Sequence, residues 1–427
     1  MRLSELNGKR VIILGTGREG AAAAEYLDGI AGSIAATSDT PVDGFRVPVL
    51  VSPDPGSVVA GYDIAVKSPG MSPRHPLVAY LLAAGMPVTS GTDLWMNENF
   101  ATTTGITGSK GKSTTSSLVK HLTPGSVLGG NIGIPLLALE PAARTIVELS
   151  SYQCQSLTRS PDVAVVTSLF PDHLDWHGTE EQYYTDKLNI VEHSPRVVIA
   201  NGEDERLVGR LTTHDVQWVG GENRYRIADR NGVDWITRGT EPIVPRSHLK
   251  LLGRHNALNA CIALAAVDAV SEISADEAAE KLSTFLPLEN RLEPIADPSG
   301  LTFINDSLST SPYAAIAALR TFAGRDITLI VGGQDRGVDY RPLAKYIASH
   351  PVAAVIGLPP SGERILGEIG SARTELATDM RDAVEKARAL TPANGTVLLS
   401  PAAPSYGIYR DFAERAADFK RAIVATQ

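Results

Sequence analysis

Thr104-Gly105-Ile106-Thr107-Gly108-Ser109-Lys110-Gly111-Lys112-Ser113-Thr114 is the stretch from which the rest of the chain can be read. The β-prone run Phe100-Ala101-Thr102-Thr103 precedes it, and Thr115-Ser116-Ser117-Leu118-Val119-Lys120 can continue from it as a helix. A strand, a glycine turn and a helix N-terminus in that order form a phosphate cradle. Glycines let backbone N–H groups converge on phosphate oxygens, and the helix end adds partial positive charge. Lys112 adds a full charge, and the Ser113 hydroxyl can ligate Mg²⁺. Ordinary P-loop spacing would put glycine at 106, where this chain has Ile106, but the Gly111-Lys112-Ser113 end is intact. ATP or GTP is therefore the expected ligand, held over Gly108, Ser109, Lys110, Gly111, Lys112, Ser113 and Thr114.

At 427 residues the chain is too long for one core of ordinary size, so two to four domains are expected. A net charge of −9 with no offsetting basic cluster argues against a nucleic-acid surface, though not against small anionic ligands. Cys154 and Cys261 are the only cysteines and have no metal-like spacing. The first ten residues lack the apolar core of a secretory leader, and no apolar run reaches the roughly 18 residues of a membrane span. A cytoplasmic, membrane-free monomer is the expectation.

Upstream, Val11-Ile12-Ile13-Leu14 runs into Gly15-Thr16-Gly17-Arg18-Glu19-Gly20 and an alanine-rich helix, with Asp39 about twenty residues on. Alone this pattern says NAD. In front of a P-loop, the better reading is a lobe for the diphosphate of a nucleotide-linked substrate, with Asp39 and Thr40 near its sugar or base. Val66-Lys67-Ser68-Pro69-Gly70 ends another strand where ligands of open α/β sheets collect.

Downstream, Gly129-Gly130-Asn131-Ile132-Gly133 is a second glycine loop whose Asn131 can offer an amide. Thr145-Ile146-Val147-Glu148 ends in the carboxylate that a P-loop fold uses for Mg²⁺. Val163 to Phe170 reads as a buried parallel strand leading to Asp172-His173-Leu174-Asp175, a candidate metal or charge-positioning cluster. Thr179 starts a helix bearing Lys187. Residues 206–245 are rich in short β-prone runs. Beyond Pro287, strands at 303–304, 327–331, 352–356 and 396–399 alternate with helices, which predicts a third parallel-sheet domain.

Taken together, Thr107 to Thr114, Gly129 to Gly133, Glu148-Leu149-Ser150-Ser151, Asp172-His173-Leu174-Asp175, Tyr184 to Lys187, His255-Asn256, Asn290-Arg291, Asn305-Asp306-Ser307 and Leu399-Ser400-Pro401 resemble the Mur ligase family. These are ATP-dependent amide-forming enzymes of peptidoglycan precursor synthesis. The resemblance covers the whole length. Tyr152-Gln153 after Ser151, and Ser400-Pro401-Ala402-Ala403-Pro404-Ser405 leading to Phe412, look most like the branch that adds D-glutamate to UDP-N-acetylmuramoyl-L-alanine. A variant of that branch adds L-glutamate, and this remains the alternative.

The resemblance implies an α/β fold of three domains. An N-terminal Rossmann-like domain (1–97) would bind the UDP substrate. A central P-loop ATPase-like domain with a mostly parallel sheet (98–287) would bind ATP, and a C-terminal Rossmann-like domain (288–427) the amino acid. It also implies an acyl-phosphate mechanism with catalytic Lys112, Lys187, His173 and Glu148. Two Mg²⁺ ions would lie among Ser113, Glu148, His173 and Lys187, the last as a carbamate. Asn256, Asn259, Arg291 and Asp306 match positions around ATP. Thr16, Arg18, Asp39, Thr40, Gly70 and Asn131 match the UDP-substrate side, and Thr310, Arg336, Ser405 and Phe412 the glutamate side. Leu308 stands where the D-glutamate enzymes commonly carry lysine, and Ala416 where glycine is usual. Folylpolyglutamate synthase, which lacks the first lobe, a nicotinamide oxidoreductase and a non-catalytic nucleotide binder are the competing readings.

Overall fold

The computed structural model describes residues 1–370 and 373–427. Three sheets order the chain, and nearly all their strand pairs are parallel. The first runs β3-β2-β1-β4-β5, from β1 (Arg10–Leu14), β2 (Ser33–Ser38), β3 (Val49–Val51), β4 (Ile64–Lys67) and β5 (Val88–Ser90). Alternation of strand with helix forces right-handed crossovers, so helices cover both faces and the strands read as unbroken apolar runs. Residues on one face of this sheet, such as Val11 and Ile13, pack into a core shared with the second sheet. Ile12 and Leu14 pack on the other face.

The second sheet comprises β6 (Thr103–Thr107), β7 (Val127–Gly130), β8 (Thr145–Glu148), β9 (Val163–Val166), β10 (Val197–Asn201), β11 (Val216–Val219), β12 (Tyr225–Arg230), β13 (Val233–Arg238) and β14 (Glu241–Pro245). Its order is β14-β13-β12-β11-β10-β9-β6-β8-β7. The sheet is parallel from β7 to β12 and turns antiparallel at the β12–β13 hairpin. Asn231-Gly232 makes that turn with both residues at positive φ (57° and 81°), the geometry that matches strand twist. The stretch read as β-prone from 206 begins instead in a helix, Glu205–Arg210; only from Val216 does it extend the central sheet, and prolines at 242 and 245 blunt its edge strand.

Two expectations shift. Phe100–Thr102 is a 3-10 turn, and the strand before the cradle is Thr103–Thr107. Position 106 therefore lies inside a central strand, where Ile106 is fully buried between Glu148 and Val165; a glycine there would leave a hole in the core. The strand expected to reach Phe170 stops at Val166, and residues 167–173 form a loop.

The third sheet is β15-β16-β20-β17-β18-β19, from β15 (Glu293–Ile295), β16 (Thr302–Asn305), β17 (Ile327–Gly332), β18 (Ala354–Leu358), β19 (Thr374–Leu376) and β20 (Thr396–Leu399). Only β15 is antiparallel to its neighbour. The chain divides into two compact units. One is Met1–His248 with Leu258–Ser283 and holds the first two sheets; the other is Leu249–Ala257 with Thr284–Gln427 and holds the third.

Candidate active site

In the order β9-β6-β8-β7, the C-terminal ends of four parallel strands deliver the loops that carry the chemistry. β6 ends in the glycine turn, and the helix Lys112–Leu122 begins immediately after it. Gly108 and Gly111 have φ of 148° and 90°, and their backbones press on neighbours. A Cβ on Gly108 would lie 2.1 Å from Thr167 Oγ1, and one on Gly111 2.7 Å from Asn259 Oδ1. No other residue type fits either position. The turn is tied to the loop after β9. The Ser109 hydroxyl bonds the Phe170 carbonyl and the Tyr183 hydroxyl at 2.8 Å each, and the Lys110 N–H donates to Ser168 Oγ at 2.8 Å. Ser109 therefore shapes the cradle through its side chain.

Positive charge converges on one carbonyl. Lys112 Nζ donates to the Gly108 oxygen at 2.9 Å and to Ser109 O at 3.3 Å, while Lys187 Nζ donates to the same Gly108 oxygen at 3.1 Å. Lys187 is 2% exposed, and burial together with the Lys112 charge pulls its ammonium down from 10.5 to about 7. Burial would raise the Asp172 carboxyl, but the charges of His173, Lys110, Lys112 and Lys187 outweigh it and hold the group below its ordinary value. Burial, with the lysine charges, pulls His173 down to about 4, so its imidazole is neutral at pH 7.

Glu148, at the end of β8, is 1% exposed. Its Oε1 accepts from Asn131 Nδ2 at 2.7 Å, and its Oε2 is buried with no hydrogen-bond partner. The buried Thr114 Oγ1 on the cradle helix is orphaned in the same way. Among the described residues, no three of His, Cys, Asp and Glu cluster tightly enough to hold a metal ion. An unpaired carboxylate oxygen beside a phosphate cradle suits Mg²⁺, which takes one or two carboxylates and completes its shell with phosphate and water.

His173 sits in the left-handed region (φ 53°, ψ 37°), a conformation that costs an L-residue about 1–2 kcal/mol. Three bonds hold it there. Its N–H donates to Asp172 Oδ1 at 3.0 Å, and its carbonyl accepts from the N–H groups of Trp176 and His177 at 3.1 Å each. Its Nδ1 meets the Tyr152 hydroxyl at 2.8 Å. Nearby, His177 Nδ1 bonds Asp186 Oδ2 at 2.6 Å and His177 Nε2 bonds Ser151 Oγ at 2.9 Å. The contacts follow a hydrolase triad, but Ser151 is 2% exposed and does not line the cleft described next. The array instead fastens the helix Glu180–Leu188, with Lys187 on it, to the helix Ser151–Cys154 that follows Glu148.

Between the first two sheets lies a cleft of about 580 Å³, walled by Gly15, Arg18, Asp39, Gly70, Asn131 and Tyr152 among others. It adjoins a second hollow of about 320 Å³ at Thr37, Ser38, Asp39, Ser52 and His75. Arg18, Asp39, Gly70 and Asn131 all line the one larger cleft. Thr16 and Thr40 do not line either hollow; Thr37, Ser38, Ser52 and His75 line the second.

In the second unit, Asp306 Oδ2 accepts from Ser400 Oγ at 2.9 Å, and Asn256 Nδ2 donates to the Leu252 carbonyl at 2.7 Å. Desolvation pulls the half-buried His255 down to about 4, and the Arg291 charge adds to the shift. Asn259 belongs to the first unit, against Gly111. Thr310 is half-buried and Ser405 buried, Phe412 is 40% exposed, and exposed Arg336 lies 5.9 Å from the ring of Tyr406. One residue missed in the sequence organises these loops. Arg415, 1% exposed, donates to the Ser307 carbonyl (2.8 Å), Ser307 Oγ (3.1 Å), Ala403 O (3.1 Å) and Gly332 O (3.4 Å).

Residues 106–267 match the Mur ligase middle domain, and residues 290–403 match the Mur ligase, glutamate ligase domain. The chain is 46% identical to a UDP-N-acetylmuramoyl-L-alanine–L-glutamate ligase of Salinispora tropica, over 99% of both chains. The chain belongs to the Mur ligase family. A protein of the same name from Xanthomonas oryzae pv. oryzae is 37% identical over 98% of this chain and 96% of its own. The fold of this Mur ligase is also that of MurF from Acinetobacter baumannii (TM-score 0.65, 16% identity, covering 97% of this chain and 91% of that one). MurC from Thermotoga maritima shares it too (TM-score 0.60, 18% identity, covering 98% and 100%). As a Mur ligase it is an ATP-dependent amide-forming enzyme.

Proposed function

We propose that this Mur ligase joins L-glutamate to the alanyl carboxylate of UDP-N-acetylmuramoyl-L-alanine in cytoplasmic peptidoglycan precursor synthesis, consuming ATP. The observation that carries the reading is the convergence of Lys112 and Lys187 on Gly108 O beside Glu148, whose buried Oε2 has no hydrogen-bond partner: donors suited to a polyanion stand with a carboxylate suited to Mg²⁺. L-glutamate, the alternative to the D-glutamate of the resembling branch, is taken from the names of the relatives; Leu308 stands where the D-glutamate enzymes commonly carry lysine. No helix among the described residues is long and apolar enough to cross a membrane, in keeping with a cytoplasmic place where ATP is available.

The proposed division of labour follows the three sheets. The cleft at Arg18, Asp39, Gly70 and Asn131 takes the UDP-linked substrate. The cradle takes ATP, with Asn259 beside Gly111; on the family resemblance, Asn256, Arg291 and Asp306 of the second unit are proposed as ATP residues, and Thr310, Arg336, Ser405 and Phe412 as glutamate residues. The N-terminus of the helix Lys112–Leu122 and the Lys112 ammonium hold the triphosphate. Mg²⁺, held by Ser113, Glu148, neutral His173 and a carbamylated Lys187, would screen the repulsion between phosphate and attacking carboxylate. A carboxylate oxygen of the alanyl group bonds to the γ-phosphorus as the bond to ADP breaks. The glutamate amine then attacks the acyl carbon and loses a proton, and phosphate leaves.

Lys187 is suited to carbamylation because the reaction needs a neutral amine, and burial beside Lys112 supplies one near pH 7. A coupled ADP-release assay tests the whole reading. Turnover is expected only with UDP-N-acetylmuramoyl-L-alanine and glutamate both present, and faster with L- than D-glutamate. ADP release that ignores either acceptor would overturn it, and a preference for D-glutamate would reverse the stereochemical part.

A further inference from the structure

The cleft between the first two sheets is fastened to the His173 segment by an aromatic bridge. On the cleft side, the indole N–H of Trp176 donates to the Gly70 carbonyl at 2.9 Å, and Ser72 Oγ donates to the Trp176 carbonyl at 3.1 Å. Arg74 Nη2 reaches the same Trp176 carbonyl at 2.6 Å. The buried Lys67 holds the other end of this loop. Its Nζ donates to Met71 O at 3.0 Å and stands 5.5 Å from the Trp176 ring. On the other side, Trp176 stacks on Tyr152 with centroids 4.6 Å apart and an angle of 29°. The Tyr152 hydroxyl in turn meets His173 Nδ1 at 2.8 Å. A buried lysine, an indole with its one polar atom satisfied and a tyrosine bonded to an imidazole thus link Gly70 to His173 without a gap.

We propose that Tyr152 and Trp176 are a positioning pair: Tyr152 aims the His173 ring by bonding its Nδ1, and Trp176 couples that aim to the Gly70 loop, so that a nucleotide-linked anionic substrate seated there sets the histidine. The inference rests on the ligase reading and deepens it. A hydroxyl on Nδ1 fixes the ring's rotation, as partners of functional histidines do, and leaves Nε2, 3.8 Å from Asp172 Oδ2, as the ring nitrogen available to a ligand. Neither residue touches the reacting atoms in this arrangement. Both act through His173.

The pair is tested by two conservative variants of the full-length enzyme and by one measurement that needs none. Tyr152→Phe keeps the stack and removes the bond to His173. It is expected to lower kcat at least tenfold and raise the Mg²⁺ concentration for half-maximal rate at least threefold, both by more than it changes KM for UDP-N-acetylmuramoyl-L-alanine, whose cleft Tyr152 also lines. Trp176→Phe keeps an aromatic ring and removes the bond to Gly70, and is expected to raise that KM at least fivefold.

In the unaltered enzyme, the UDP-linked substrate added without ATP should slow amide hydrogen exchange in residues 68–74 and 173–178 together. Slowing at 68–74 alone, or wild-type kcat and Mg²⁺ dependence in Tyr152→Phe, would overturn the pair while leaving the ligase reading intact. If wild-type enzyme released no ADP with both acceptors present, the ligase reading itself would fail. Equal losses in every kinetic constant, tracking a fall in melting temperature, would show a merely structural role and also overturn the proposal.

Discussion

The state of Lys187 gives the sharpest prediction. With its ammonium lowered from 10.5 to about 7, about half of the Lys187 amines are neutral at pH 7, against about one in 3,000 for an unperturbed lysine. The neutral share is nearly complete at pH 8.5 and about a tenth at pH 6. At fixed dissolved CO₂, carbamate occupancy should therefore fall at least tenfold from pH 8.5 to 6, and more steeply still because carbamylation itself releases a proton. The assay is ¹³C NMR of the enzyme with ¹³CO₂, ATP and Mg²⁺, run beside turnover in CO₂-depleted buffer. Lys187→Ala should lose the resonance and the activity. High bicarbonate should not restore turnover, and short carboxylic acids should restore part of it. A wild-type spectrum with no carbamate signal, or full turnover by Lys187→Ala, would refute the reasoning. The same shift fixes the sign of a stability effect. Between about pH 7 and 10.5 the unfolded chain binds the extra proton, so the ligand-free enzyme gains stability as pH rises through that window. The slope approaches about 1.4 kcal/mol per pH unit, and Lys187→Met should abolish this contribution.

Gly108→Ala would drive a methyl group to 2.1 Å from Thr167 Oγ1 at a φ of 148°. A loss of about 2 kcal/mol or more, read as a lower melting temperature, should accompany weakened ATP binding by calorimetry, and an unchanged variant would refute the steric account. Glu148→Gln keeps the size of the side chain and removes its charge. ADP release should fall about 100- to 1,000-fold with a raised Mg²⁺ requirement, whereas metal-free nucleotide binding should hold. Arg415→Met should raise KM for glutamate about tenfold or more with KM for the UDP-linked substrate unchanged, since Arg415 pins the Ser307, Gly332 and Ala403 loops. Equal changes in both constants would remove it from the glutamate side.

The cradle, the strand-end Glu148 and the alternation of strand with helix were legible because they are local: each is a short run with a fixed physical meaning. The misplaced strand start is local too. Threonine-rich β propensity continues through Phe100 to Thr103, and only pairing with Glu148 and Val165 shows that the strand runs on through Ile106. Asn231-Gly232 carried an explicit turn signal that a coarse reading of 206–245 passed over. The roles of Lys67, Trp176, Asp186 and Arg415 were all but illegible. Their roles come from burial against partners up to about a hundred residues away, and a lysine or aspartate in sequence looks like a solvated surface charge. The one available hint was Lys67 itself, a cation closing an otherwise apolar strand.

The Lys112 ammonium and the part-neutral Lys187 amine, both donating to one Gly108 oxygen, tie the protein's persistence to its nucleotide. Nucleotide binding by the folded form alone adds stability as the logarithm of its concentration over the dissociation constant, about 2.7 kcal/mol at a hundredfold excess. Here that gain also relieves the crowding of Lys112 against Lys187. Falling ATP would therefore cost the enzyme persistence as well as speed, because the emptied fold becomes easier prey for proteases.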